Sequence, residues 1–248
     1  MPGGFWGSST LLTVSPRGNG TVWRPRAPAY ATWSLIALTT AIYLIQIATD
    51  ESSAELILRY GVTPEIFNGG ERPFGGFPLF LTPLTAMFLH GSWDHLLGNL
   101  IYLWVFGNDV EEVLGPYRFA LLYVVGGVCG ALGYIAMDGH ASVALVGASG
   151  CVSGVIAAYL MLKPCEPVTI AIPRHDVRIA MYWAVGSWLL LQLFQFLWHS
   201  DEETFSTLAQ AGGAVGGAAA FWLLCPKGIK LFQCLHNTRN DHSIDAQD

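Results

Sequence analysis

The sequence predicts an all-α membrane protein, a bundle of six transmembrane helices with both termini in the cytoplasm. Hydrophobic residues make up 52% of the 248 residues and charged residues only 12%, about half the charged fraction of an average soluble domain. The mean hydropathy is +0.44. Six mainly apolar runs come close to the length that a helix needs to cross a bilayer, roughly 17–25 residues.

The six predicted spans are joined by short connections, except for the first connection. The first thirty residues, 1–30, are predicted to be a flexible cytoplasmic arm, 31–225 a six-helix domain, and 226–248 a cytoplasmic tail. The connection 50–93 is too apolar for a solvated loop and too rich in Pro and Gly for a span, so we expect it to lie partly in the membrane interface or against the helices. The predicted spans are residues 31–49, 94–108, 116–137, 147–163, 177–198 and 208–225.

The distribution of basic residues predicts the orientation. With both termini inside, ten of the twelve Lys and Arg residues are internal and only Arg59 and Arg72 are external. An excess of basic residues is typical of the cytoplasmic loops of multi-pass proteins. We therefore expect an integral protein of the plasma (inner) membrane. Its expected partner is the lipid bilayer, and not nucleic acid.

Neither a disulfide framework nor a metal site is indicated. The five cysteines follow no disulfide or metal spacing, and most of them lie in apolar runs. His90 and His95 are five residues apart, which is a poorer spacing for two helical metal ligands than four. We expect no cofactor.

Polar residues collect at the external ends of three predicted spans. In "HGSWDHLLGN", His95 and Asn99 share one helix face and His90 comes just before the helix. In "VGASGCVSGV", Ser149 lies at the same depth, and in "LAQAGGAVGG" so does Gln210. These residues are either hydrogen-bonded groups of the core or parts of a catalytic site. The glycines of the last two segments would let their helices approach closely.

Together, these segments resemble the rhomboid intramembrane serine proteases, over about residues 58–224. The resemblance implies a bundle with a water-accessible cavity open to the outside, in which transmembrane segments of other membrane proteins are cleaved. By the same resemblance, the fifth span corresponds to the helix that is proposed to gate substrate entry in this family. The resemblance also implies that Ser149 is the nucleophile, that His95 and Asn99 stabilise the oxyanion, and that His90 lines the cavity.

One residue departs from the family pattern. The family has Ala-His before the glycines, and that histidine is the general base, whereas this chain has Ala209 and Gln210. An amide does not take up a proton near neutral pH, so the Ser149 hydroxyl would lack its base.

Two main hypotheses remain. The chain is a serine endopeptidase of the rhomboid type with little or no activity, either because Gln210 was introduced to trap an inactive state or because the base was lost, unless His95, His140 or His199 replaces it. Alternatively, it is a non-catalytic rhomboid pseudoprotease that binds transmembrane helices as an adaptor or quality-control factor. A channel or transporter is less favoured, because the polar residues gather at one end of the spans only.

Overall fold

Helices make up most of the chain in the computed structural model, which describes residues 28–49, 52–71, 77–137, 141–172, 175–198 and 201–234. Most of the predicted arm and of the predicted tail therefore lies outside the described residues. The helices, in chain order, are α1 Tyr30–Ala48, α2 Ser53–Tyr60, α3 Pro64–Phe67, α4 Thr82–Thr85, α5 Trp93–Leu114, α6 Pro116–Met137, α7 Ser149–Leu162, α8 Met181–Trp198 and α9 Asp201–Leu224.

Three described helices are long and apolar enough to cross a membrane. They are Tyr30–Ala48, Pro116–Ala136 and Thr207–Leu224, and Ser149–Leu162 is a shorter apolar helix. This confirms a predominantly helical protein with candidate membrane-spanning helices.

Helix α5 continues beyond residue 108, where the sequence predicted the end of a span. Its last turns contain three acidic residues, of which Asp109 and Glu111 are buried. Asp109 accepts a hydrogen bond from Lys163 Nζ at 3.0 Å, and Glu111 accepts bonds from the first residues of α1. Because these partners compensate the buried charges, the helix extends to Leu114.

A β-hairpin departs from the all-α prediction. Strand β1, Pro167–Ile172, pairs antiparallel with β2, His175–Ala180, in a register that runs from Pro167 opposite Ala180 to Ile172 opposite His175. The segments "PVTIAI" and "HDVRIA" contain several β-branched residues, which favour strands. Because β2 takes residues that were assigned to the fifth span, α8 begins at 181 and not at 177.

A disulfide corrects the expectation that the cysteines are unpaired. Cys165, just after α7, is bonded to Cys234 in the tail, with 5.2 Å between their Cα atoms. The two cysteines are 69 residues apart, so their spacing gave no indication of the bond. They meet because the chain after α9 returns to the end of α7, where the Phe232 N–H donates to the Met161 carbonyl at 2.8 Å.

The centre of the bundle is formed by α6, α7 and α9, which pack at close range. Gly213 and Gly217 of α9 lie directly against the backbone of Gly150 and Gly154 of α7. A methyl group at either α9 position would collide with the α7 backbone, so only glycine allows this approach. The fully buried large side chains around these contacts include Phe119, Leu122, Tyr123, Val155 and Phe221.

The connection between α1 and α5 packs against the helices, which is one of the two placements expected from the sequence. Its backbone pairs with the segment before α7, since the Val62 N–H donates to the Leu145 carbonyl at 3.0 Å and the Leu145 N–H to the Val62 carbonyl at 2.8 Å. Thr82, Pro83, Ala86, Met87 and Leu89 of this connection are buried. This packing brings residues 82–92 next to the start of α7.

Candidate active site

Ser149 is the first residue of α7, and the backbone just before it has an unusual conformation. Gly147 has φ of +113°, a conformation that residues with a side chain rarely adopt. A Cβ atom at Gly147 would lie 2.8 Å from Nε2 of His95. The Gly147 N–H donates to the Ala86 carbonyl at 2.8 Å. Glycine is therefore required here both by the turn and by the imidazole of His95 beside it.

Ser149 lines a small, open pocket between α4, α6, α7 and α9. Most of the lining residues are small or apolar, so the pocket would accept a small apolar group more readily than a charged one. Ala209 lines this pocket, and Gln210 follows it on α9. The lining residues are Pro83, Ala86, Met87, Gly127, Gly130, Ala131, Leu145, Gly147, Ser149, Gly150 and Ala209.

The close packing of α9 determines where Gln210 lies. Gly213, one turn after Gln210, rests on Gly150, the residue after Ser149. A Cβ atom at Gly130 of α6 would lie 2.7 Å from the Ala209 carbonyl oxygen. The backbone around Gln210 is thus packed against both α6 and α7, beside the first turn of the serine helix.

His90 is fully buried and lies at the centre of a hydrogen-bond network. Its Nε2 accepts from Asn99 Nδ2 at 3.2 Å and from the Ala148 N–H at 3.5 Å. Since both partners are N–H donors, Nε2 carries no proton, and the ring proton is assigned to Nδ1, which donates to the Phe88 carbonyl at 3.3 Å. Burial, and secondly the charge of His95, lowers the pKa of His90 to about 4, so that the ring is neutral at physiological pH.

Asn99 and His95 are both drawn into this network. Asn99 Nδ2 also donates to the His95 carbonyl at 3.1 Å, so its two N–H bonds are both directed to protein acceptors. The rings of His90 and His95 meet edge to face, with 5.1 Å between their centroids. The structure thus brings His90, His95 and Asn99 together at the start of α7, although none of the three is among the described residues that line the pocket.

Gln46 of α1 belongs to the same network, and our reading of the sequence did not single it out. Its Nε2 donates to the His90 carbonyl at 2.8 Å, and its Oε1 accepts from the His90 N–H at 3.2 Å. The signal that could have identified it is an amide within the otherwise apolar run "AIYLIQIA", where an unpaired polar group is costly.

Two other histidines considered as substitutes for the base, His140 and His199, lie outside the described residues.

Comparison with known proteins gives a consistent assignment for most of the described chain. A family model for the rhomboid domain matches residues 80–227. Rhomboid-like protein 11, chloroplastic, of Arabidopsis thaliana is 35% identical over 91 residues, which are 36% of this chain and 32% of the relative. Putative rhomboid protease YdcA of Bacillus subtilis is 34% identical over 79 residues, 32% of this chain and 39% of the relative.

A longer match is found with Rhomboid protein 1, mitochondrial, of Saccharomyces cerevisiae. It is 33% identical over 152 residues, which are 57% of this chain and 41% of the relative. The chain thus spans less than half the length of each of these three relatives.

Proposed function

Since the chain belongs to the rhomboid family, we propose that it engages transmembrane segments of other membrane proteins at the Ser149 pocket and hydrolyses them weakly or not at all. The observation that carries this proposal is the pairing of a serine site with an amide. Ser149 begins α7 in a pocket that also contains Ala209, and the next residue of α9 is Gln210.

The expected low activity follows from the chemistry of the amide. Attack on a peptide carbonyl needs a base that removes the Ser149 proton and later returns it to the leaving amine. A glutamine can accept a hydrogen bond but does neither at neutral pH. In soluble serine proteases, loss of a triad member leaves only about 10³–10⁴-fold catalysis over water, which is too little for physiological hydrolysis of a peptide bond.

The proposed membrane topology uses six helices, α1 and α5 to α9, with both termini in the cytoplasm. The ten-to-two distribution of basic residues supports this orientation. In this arrangement, the first turn of α7 and the network around His90 lie near the external face. The β-hairpin and the end of α5 lie at the cytoplasmic face, as do Cys165 and Cys234, whose disulfide is therefore expected in protein isolated under oxidising conditions.

The test restores the missing base in the purified protein in liposomes. We expect no cleavage of a fluorogenic transmembrane substrate and no labelling by a fluorophosphonate for the natural chain. Gln210→His should label and cleave, and the matched double variant Ser149→Ala/Gln210→His should do neither. Cleavage by the unsubstituted chain at a rate close to that of Gln210→His, and lost in Ser149→Ala, would contradict the proposal, because it would require another base.

A second candidate function is a non-catalytic adaptor for transmembrane helices. The observation that favours it is that both N–H bonds of Asn99 are directed to protein acceptors, which leaves them engaged when an oxyanion would need them. In this case Gln210→His would remain inactive, while a photo-crosslinkable transmembrane peptide would still be captured by the natural chain.

A further inference from the structure

A buried glutamine in α1 is paired at both ends of its side chain with one residue. Gln46 is only 4% exposed, in a helix whose other residues are mostly apolar. Its amide donates to the carbonyl and accepts from the N–H of His90, at 2.8 and 3.2 Å. The Gln46 amide thus pairs with the N–H and the carbonyl of His90, as the backbone of a neighbouring β-strand would. Neither of these buried main-chain groups is left without a hydrogen bond.

A second residue of the same α1 face supports the same part of the chain. Tyr43, one turn before Gln46, lies edge-on to the His90 ring, with 6.3 Å between centroids and an interplanar angle of 88°. It also lies edge-on to Trp93 at 4.9 Å, in the first turn of α5. Helix α1 therefore holds both the backbone and the ring of His90.

The orientation of His90 matters because its ring connects α1 to the serine helix. Its Nε2 accepts from the Ala148 N–H, one residue before Ser149, and from the Asn99 amide. Both bonds require that the ring faces α7 with Nε2 unprotonated. A rotation of the His90 backbone would break both bonds and leave the donors buried without a partner.

We propose that Gln46 is a positioning residue of the serine site. By holding the main chain of His90, it keeps the imidazole in the Nδ1–H form with Nε2 directed at Asn99 and at the start of α7. The inference rests on the proposed function in taking Ser149 as the reactive residue. Gln46 acts through His90, since both of its hydrogen bonds go to His90 and it is not among the residues that line the Ser149 pocket.

The first test is a spectroscopic measurement that does not depend on activity. Protein with ¹⁵N-labelled histidine is measured in liposomes at pH 7, and the His90 signals are assigned by their loss in His90→Gln. We expect the natural chain to show His90 in the Nδ1–H form. Gln46→Met keeps the side-chain volume and removes both bonds, and should shift His90 towards the Nε2–H form, which is the commoner one for a histidine side chain in water. Gln46→Asn is one methylene too short to make both bonds and should give the same shift.

The control is Thr40→Val in the same helix. The Thr40 hydroxyl donates to the Ile36 carbonyl of its own helix at 2.8 Å, so its removal should leave the His90 signals unchanged. If folded Gln46→Met and Gln46→Asn both keep His90 in the Nδ1–H form, the positioning role is wrong. The same holds if Thr40→Val changes the form as much as they do.

The second test measures the reactivity of Ser149 in the Gln210→His background. Fluorophosphonate labelling should slow by about tenfold or more when Gln46→Met is added, because small displacements of reacting groups are costly. Thr40→Val should label at the parent rate. An unchanged rate with Gln46→Met contradicts the positioning role. A Gln210→His parent that never labels contradicts the proposed function instead, and the histidine spectra then decide on Gln46 alone.

Discussion

At the residue scale, a carboxylate of α5 takes the place of a capping side chain at the start of α1. Ala29, the residue before α1, provides no side-chain cap. Glu111 instead accepts from the N–H groups of Ala31 and Thr32 and from the Thr32 hydroxyl, at 2.8, 2.7 and 2.7 Å. A negative charge at this end of a helix is also favoured by the helix dipole. The absence of a side chain at Gly107 lets α1 come close enough, since a Cβ there would lie 3.0 Å from Thr32 Oγ1.

We expect Glu111→Ala to destabilise the protein by about 2–4 kcal/mol, since it removes three bonds to a buried charge and leaves the donors without a partner. The measurement is reversible unfolding in detergent micelles, followed by circular dichroism. The matched control is Glu112→Ala, because Glu112 is the next residue and is exposed. A loss for Glu111→Ala no larger than that for Glu112→Ala would contradict this role of Glu111.

At the element scale, the contacts between α7 and α9 determine how the site is assembled. The spacing of the α9 glycines repeats that of Gly150 and Gly154, so two contacts form one turn apart. Without a hydrophobic driving force between helices in lipid, such close backbone packing supplies much of the association energy. This arrangement also places residue 210 beside the serine turn.

Gly217→Ala should destabilise the protein by roughly 1–3 kcal/mol, because its methyl group would overlap the backbone of Gly154 and force the helices apart. Gly98→Ala in α5 is the control. A Cβ at Gly98 would meet nothing within 4 Å, so alanine there should be neutral or stabilise the helix by up to about 1 kcal/mol. Equal losses for the two substitutions would mean that helix contact is not the cause.

At the scale of the whole molecule, the segment that follows α9 packs against the junction of α7 and α8. The Tyr182 N–H donates to the Pro164 carbonyl and the Met181 N–H to the Glu166 carbonyl, both at 3.0 Å, so the backbone around Cys165 holds the start of α8. The bond from Cys165 to Cys234 ties the segment after α9 to the same place. The end of α7, the start of α8 and the segment after α9 are thereby joined at one end of the bundle.

We expect that alkylation in denaturant without a reductant modifies three cysteines, and that prior reduction exposes all five. Cys165→Ser should lower the unfolding midpoint, in line with the roughly 2–4 kcal/mol that a disulfide usually contributes. Cys225→Ser is the control, because Cys225 is a free cysteine at the end of α9. Modification of five cysteines before reduction, measured by mass spectrometry, would show that the tail is not covalently tied.

The sequence could predict features that depend on neighbours along the chain. The apolar runs predicted helices, and a spacing of four placed His95 and Asn99 on one face, where Asn99 does donate to the His95 carbonyl. The paired glycines predicted a close helix contact. Less could be predicted where one residue type fits two structures. The run around Val177 was assigned to a span because β-branched apolar residues suit a membrane helix as well as a strand.

What the sequence by itself determined is the helical membrane class, the family pattern and the amide at position 210. Only the tertiary structure decided which distant residues meet. Gln46 is 44 residues from His90, and Cys165 is 69 residues from Cys234. The physical reason is that such contacts depend on the path of the chain and on the packing of every helix between the two partners. Local propensity and residue spacing carry no information about the path of the chain or the packing of its helices. The contact of Gln46 with His90 could therefore be identified only in the folded chain.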